Sequence, residues 1–340
     1  EDTAFTTRAN FVQAMDAGGV AAMEVISRDL KAMGLYTARS LSYDGVEVDI
    51  LEHPLTPQQT GIYDSFAEAY HIIHNNLQAA LETSNISSED ETLNKNAKSA
   101  ALSAFESSKQ RFFNHMLTAM KCPSLIKAIE ADIERGDAVI VQLVSTGEAL
   151  LERRLSDIPT SEWQDMNVDI TPREYVLDYL MNSFPTQLFE VYTDEDGNKC
   201  SRPMFDGAGN PVFNRAAEAR RDAMIEHLAG LPAVPTALDQ ILHHFGTDAV
   251  SEVTGRSLRL VREDGVVKVQ KRPGSSNLSD AQAYMDDEKR ILIFSDAGGT
   301  GRSYHADMDA RNSRRRVHYL LEPGWRADNA IQGLGRSNRT

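Results

Sequence analysis

A chain of 340 residues, 41% of them hydrophobic, is long enough for two domains or for one domain with a large insertion, and it can bury a substantial core. It contains no apolar run of about eighteen residues and no charged-then-apolar leader, so neither a membrane span nor secretion is indicated, and two cysteines, Cys122 and Cys200, exclude a disulfide framework or a sulfur metal site. The net charge of -15 excludes a generally basic nucleic-acid-coating protein, although residues 295–340 hold eight arginines against five acidic residues, a local balance of +3 against -18 elsewhere that suits a local anion site or a solvated strand edge.

The first element is a helix over residues 18–33, with Ala22, Val25, Ile26, Leu30 and Met33 at helical spacing and Gly34 after it. Residues 36–42 and 46–52 read as strands turning at Tyr43-Asp44-Gly45. Thr56 is placed to cap a helix whose first turn is Pro57-Gln58-Gln59. From there to about Arg135 the pattern is helical, with Ile62, Phe66, Tyr70 and Ile73 in one stripe and Phe105, Phe112, Met116 and Met120 in another; the polar residues 84–96 form a flexible connection between them. His71 and His74 have no carboxylate or third histidine at ligand spacing, so no metal site is expected.

The composition changes at Gly136. Residues 138–144 are a continuous apolar run, as in a strand buried on both faces, and Ser145-Thr146-Gly147-Glu148 then opens a helix through Leu155. Strand, short polar turn and helix in that order open a parallel α/β domain, and such a turn offers unpaired amides and a helix dipole to a phosphate. Residues 157–231, interrupted by Trp163, several prolines and a polar hairpin-like segment at 193–212, read as an insertion. Helices are expected at 216–228, 237–245 and 249–253, and a hairpin at 258–261 with 266–270 turning at Asp264-Gly265; the adjacent His243 and His244 face apart and read as surface.

The end of the chain carries the chemistry. A short apolar strand at 291–294 runs into Ser295-Asp296-Ala297-Gly298-Gly299-Thr300-Gly301-Arg302-Ser303, where three glycines in four positions let backbone approach a ligand closely. No Lys-Ser/Thr follows, so it is not a Walker loop, and no acidic partner is placed for a dinucleotide fingerprint. After a third strand at 317–321, residues 327–339 read as a helix in which Gln332, Arg336 and Arg339 recur at i, i+4 and i+7 on one face. Two guanidiniums on one face suit an anion with several oxygens, such as a triphosphate, or form a solvated basic face.

The segment from Gln332 to Arg339 resembles the last motif of superfamily 2 helicases, and Ser295 to Ser303 resembles their preceding glycine-containing motif, especially as found in SWI2/SNF2 remodellers. More narrowly the chain resembles the strawberry notch family, through Gly34-Leu-Tyr-Thr-Ala-Arg-Ser-Leu-Ser42, Ser145-Thr-Gly-Glu148, residues 231–235 with Leu238-Asp239, Val253-Thr-Gly-Arg256 and residues 312–318. The match runs in order from about residue 10 to the end and is poorest at 157–231. Arg302-Ser303-Tyr304 departs from it, standing where the family has a smaller apolar stretch.

The resemblance implies an α/β fold: residues 1–56 as the tail of a first RecA-like lobe, 57–135 as a helical linker or insertion, and 136–340 as a second RecA-like lobe with parallel sheet, a P-loop-NTPase-type fold. It implies that Arg336 and Arg339 are the catalytic arginine fingers, that Gln332, Gly299 and Gly301 bind nucleotide, and that Ser145, Thr146, Ser295 and Thr300 contact DNA or RNA. ATP and Mg2+ would be held jointly with the missing first lobe. With no Gly-Lys-Ser/Thr and no Asp-Glu-x-His box, the fragment alone is expected to be inactive and to bind no cofactor tightly. A cytoplasmic or nuclear setting follows, as a piece of a longer chain. Two other readings are a degenerate helicase-like scaffold that binds partners without hydrolysis, and an unrelated α/β domain using the glycine loop for a small phosphorylated ligand.

Overall fold

The computed structural model describes residues 7–35, 43–156, 158–163, 171–263, 266–299 and 301–338. The chain divides into two compact units, residues 1–47 with 339–340, and residues 48–338.

In the first unit, α1 (Arg8–Ala32) starts ten residues before the expected helix, because the Thr7 hydroxyl caps it by accepting from the Asn10 amide at 3.2 Å. Gly19, with φ 57° and ψ -149°, divides it into two helical stretches, and Met33 closes it before Gly34. The turn at residues 43–46 forms, with the Val46 amide donating to Tyr43 at 3.0 Å. Its expected first strand, 36–42, lies outside the described residues. Its second, 46–52, is no strand: Val48 and Ile50 are largely exposed, with no apolar face to bury them.

The second unit runs, in chain order, α2 (Pro57–Thr83), α3 (Lys95–Met120), α4 (Cys122–Glu134), β1 (Ala138–Gln142), α5 (Glu148–Ser156), α6 (Arg173–Asn182), β2 (Phe189–Thr193), β3 (Lys199–Pro203), α7 (Arg215–Ala229), α8 (Ala237–Phe245), β4 (Val250–Val253), β5 (Leu258–Glu263), β6 (Val266–Lys271), α9 (Ser276–Met285), β7 (Ile291–Phe294), α10 (Asp296–Gly299), β8 (Arg316–Leu320) and α11 (Ala327–Leu334). Thr56 and Gln59 form a capping box that starts α2 where the sequence places it.

The apolar stripes of α2 and α3 meet each other and α6 and α7 in one core, with Phe66, Tyr70, Phe105, Phe112, Met116, Tyr179 and Met224 buried together. Each such side chain contributes about 1.5–3 kcal/mol on burial. The 84–96 segment is ordered rather than a loose connection. Its Ile86 is buried, the Ser84 carbonyl accepts from Phe189, the Leu93 carbonyl accepts from Ser201, and the Asn85 side chain donates to Phe189, so β2 and β3 dock on it.

The main sheet is parallel with strand order β4-β7-β1-β8. β1 lies in its interior, and all five of its residues are buried. Successive side chains alternate between faces: Val139 and Val141 pack with α4 and α8 through Ile129, Leu238 and Ile241, while Ala138 and Ile140 pack with α9 through Ala281 and Tyr284. Helices on both faces of a parallel sheet make this an α/β domain.

Residues 250–253, expected as helix, are instead edge strand β4, fully buried against β7. Four residues are too few to reveal a period, and only pairing with Ile291 to Phe294 selects the extended form.

The arginines of residues 314–316 are tied to the protein itself, although Arg315 stays more than half exposed beside the edge strand β8. Arg314 pairs with Asp287 at 2.7 Å and Arg315 with Asp137 at 2.6 Å, and Arg316 donates to the Tyr304 carbonyl at 2.8 Å. They pin the start of β8, at the amino edge of the sheet.

Candidate functional site

In open parallel sheets, ligand-binding loops follow the carboxyl ends of the strands. Here those loops are residues 143–147 after β1, 254–257 after β4, 295–303 after β7 and 321–326 after β8.

The loop after β1 is organised by Glu322 of the loop after β8, which is only 2% exposed. Its Oε2 accepts from the Val144 and Ser145 amides at 3.0 and 2.7 Å; its Oε1 accepts from the Ser145 hydroxyl at 2.7 Å and from Asn114 Nδ2 of α3 at 2.9 Å. A turn that offers amides to an anion has thus received an internal carboxylate. Ser145 has both donors committed to Glu322, while Thr146 beside it is partly exposed.

The glycine loop leaves β7 through Ser295, whose amide donates to Val253 at 3.2 Å and whose hydroxyl is buried without a hydrogen-bond partner. Residues 296–299 form the single helical turn α10, Thr300 lies outside the described residues, and Gly301 takes φ +76°, a conformation that side-chain-bearing residues rarely adopt. Arg302 donates to the Asn277 carbonyl at 3.0 Å, tying the departing residues of the loop to α9.

The single helix face expected for Gln332, Arg336 and Arg339 is broken between the first two. α11 ends at Leu334, and Arg336 sits in a tighter turn where its amide reaches Gly333 at 3.0 Å. Gly333 and Gly335 weaken the last turn, and the Ser337 hydroxyl takes the Leu334 carbonyl at 2.9 Å. Gln332 is therefore exposed and Arg336 half-buried, and Arg339 lies outside the described residues. The Arg336 guanidinium lies 5.3 Å from the centroid of Phe294, the last residue of β7, and its Nη1 is buried with no hydrogen-bond partner. Tyr304 packs against the same Phe294 ring at 5.8 Å, its amide donating to the Arg336 carbonyl at 2.7 Å and its own hydroxyl unpartnered. Three buried polar atoms, on Ser295, Tyr304 and Arg336, are thus left unsatisfied around the end of β7.

Gly333 leaves room for the side-chain amide of Gln142, the last residue of β1, which a Cβ at that position would displace. Gln142 Oε1 in turn lies 3.2 Å from His318 Nε2, and His318 Nδ1 lies 2.7 Å from Ser337 Oγ. Burial pushes the His318 pKa down to about 4, so the ring is neutral at neutral pH. This stack seats the arginine-bearing turn on the sheet.

The loop after β4 rests on a buried ionic cluster. Glu252, fully buried, accepts from Arg256 at 2.6 Å, and Arg256 also reaches Asp239 of α8 at 3.0 Å. Arg272 donates to the Glu252 and Arg256 carbonyls and to Asn277. The charges of Arg256 and Arg272 hold the Glu252 carboxyl below its usual range against the opposing effect of burial. Among the described residues, no group of three or more His, Cys, Asp and Glu could hold a metal ion, and no helix is long and apolar enough to cross a membrane.

Residues 236–340, from the cap of α8 through the glycine loop and the Arg336 turn, match the family model described as the C-terminal domain on Strawberry notch homologue. Residues 1–65 match a second model, P-loop containing NTP hydrolase pore-1. Across the whole chain, rat strawberry notch homolog 1 is 28% identical and FORGETTER 1 of Arabidopsis thaliana, over 99% of the chain, 25%. The chain is similar to strawberry notch proteins along its whole length. It corresponds to the C-terminal portion, spanning 32% and 34% of those two relatives, while Drosophila strawberry notch is 42% identical over 38% of the chain and 8% of its own length. No solved structure matches the chain.

The family lies among helicase-like, P-loop-NTPase-related proteins. The structure brings Arg336 to the end of β7, where Ser295 follows, and it places Ser145 in the Glu322 knot after β1. Reading the residues alone missed Glu322, Gln142, His318 and the Glu252 cluster. The last had a visible signal in Val253-Thr-Gly-Arg256 and Leu238-Asp239, and His318 lies in the recognised stretch 312–318.

Proposed function

We propose that this chain is the second motor lobe of a nucleic-acid-dependent ATPase of superfamily 2, of the translocase or remodeller kind related to SNF2 proteins. The carrying observation is the buried, unpartnered Nη1 of Arg336, backed by the Phe294 ring at the carboxyl edge of the sheet. An unsatisfied buried guanidinium nitrogen is costly in a lone lobe and calls for an anion. The buried Ser295 and Tyr304 hydroxyls are further polar groups without a hydrogen-bond partner.

The residues present fit ATP with Mg2+ held across a cleft by the first lobe, which supplies the reactive phosphate. Arg336, together with Arg339, neutralises charge that develops on the terminal phosphate, while Gln332 and the Gly299 to Gly301 backbone position the phosphates. Thr146, Ser295 and Thr300 are the residues offered to the DNA or RNA backbone, and Ser145 acts through the shape of its turn. Alone, this lobe hydrolyses nothing. In the full-length protein, Arg336→Ala lowers the nucleic-acid-stimulated ATPase by ~10³; an unchanged rate sinks the role of Arg336, and no stimulated hydrolysis in the unmutated protein favours a non-hydrolysing scaffold.

A further inference from the structure

Residues 46–52, Val-Glu-Val-Asp-Ile-Leu-Glu, alternate apolar and acidic over their first five positions, the pattern of a strand with one covered face. In the structure they bury nothing, and Val48 is 89% and Ile50 82% exposed. Both ends of the segment are nevertheless held. The Val46 amide closes the turn on Tyr43 at 3.0 Å, and His53 lies 2.7 Å from Ser124 Oγ of α4 and 3.0 Å from Gln59 Oε1 of α2. Between them the Ile50 amide donates to the Asp49 side chain at 2.8 Å, whereas the amides of Glu47, Asp49 and Leu51 have no acceptor among the described residues. Alternate amides of an extended chain share one edge, so these three form a row of open donors.

We propose that residues 46–52 are a β-strand that adds to the open edge of a sheet in the P-loop NTP hydrolase domain whose family model residues 1–65 match. The inference rests on the two-lobe reading above and names the backbone contact by which the first lobe engages this chain.

Three observations choose that partner. The segment lies wholly inside the matched stretch, and domains of this class are built on sheets whose strands pair edge to edge. Within the same stretch α1 has no buried residue either, with Val20 79% and Met23 50% exposed, so the apolar side chains of the matched stretch lack a covering body. A second copy of this chain fits badly. Antiparallel pairing centred on Val48 sets Glu47 against Asp49 twice, pairing centred on Asp49 sets that residue against itself, and in-register parallel pairing stacks every acid on its own kind. The receiving edge therefore offers apolar side chains to Val48 and Ile50 on one face and Lys or Arg to Glu47 and Asp49 on the other.

Hydrogen exchange read by mass spectrometry on the full-length protein and on the 340-residue chain tests this. Amides 47–52 are expected to exchange like those of an unfolded peptide in the 340-residue chain and roughly a hundredfold more slowly in the full-length protein. Val48→Lys/Ile50→Lys is expected to abolish that protection while leaving the urea midpoint of the 340-residue chain unchanged, because both side chains are already exposed there. Equally fast exchange in the two proteins, protection that survives the double substitution, or a lowered midpoint in the substituted 340-residue chain each overturns the proposal. So does protection in the 340-residue chain that grows with its concentration, which would make the partner a second copy. Fast exchange in a full-length protein with Arg336-dependent ATPase sinks the strand pairing alone. Slow exchange in a full-length protein without stimulated ATPase supports the pairing and sinks the motor reading.

Discussion

The Glu322 knot can be tested by contrasting two substitutions. Glu322→Ala removes the acceptor for two backbone amides, the Ser145 hydroxyl and the Asn114 side chain at once. Each buried donor left unsatisfied costs about 1–3 kcal/mol, and water reaching the half-buried Ser145 recovers part, so the net loss is about 2–4 kcal/mol. Glu322→Gln differs in kind. Its amide nitrogen can occupy the Oε1 position, where the Ser145 hydroxyl turns to accept and the Asn114 amide flips, while its oxygen keeps both backbone amides. The remaining loss is the charge assistance, about 1–2 kcal/mol. Urea denaturation of the three chains measures the differences. If the alanine and glutamine chains lose equal stability, or the alanine chain loses less than about 1 kcal/mol, the donors are not held as described.

Gly333→Ala puts a Cβ where the side-chain amide of Gln142 lies, so that amide is displaced. The expected loss is about 1–3 kcal/mol by overpacking, together with lowered ATPase in the full-length protein; an unaltered denaturation midpoint refutes this seating. The pH response comes from His318, whose pKa burial pushes down to about 4, and from His115, which burial also lowers. Below about 6.5 the unfolded chain takes up protons that the folded chain refuses, so stability is full above that pH and declines as pH falls toward 4. Urea midpoints across that window should fall, and less steeply in a His318→Gln chain; equal slopes refute the assignment to His318.

Much of the fold was legible because it depends on local pattern. The run at residues 138–144 is apolar at nearly every position, which only a strand covered on both faces tolerates. Capping chemistry placed the start of α2 to the residue, and the glycine loop was visible from its composition. Residues 250–253 were misread because four residues carry no decisive period, and the 84–96 segment because its polar groups bond to Phe189 and Ser201, about a hundred residues away. At the site, the spacing of Gln332 and Arg336 implied one helix face, but Gly333, Gly335 and Ser337 end the helix between them.

The order of residues along this chain was enough to determine an alternation of strands and helices, a parallel sheet, and a glycine loop and arginine segment at the end, since propensity, period and turn chemistry act over a few neighbours. Which anion the turn after β1 holds, which ring backs Arg336, and which donors are left without acceptors were decided only in three dimensions. Glu322 and Ser145 are 177 positions apart, and no local pattern records that packing a sheet would bring a carboxylate to those amides while leaving the Arg336 guanidinium short of one.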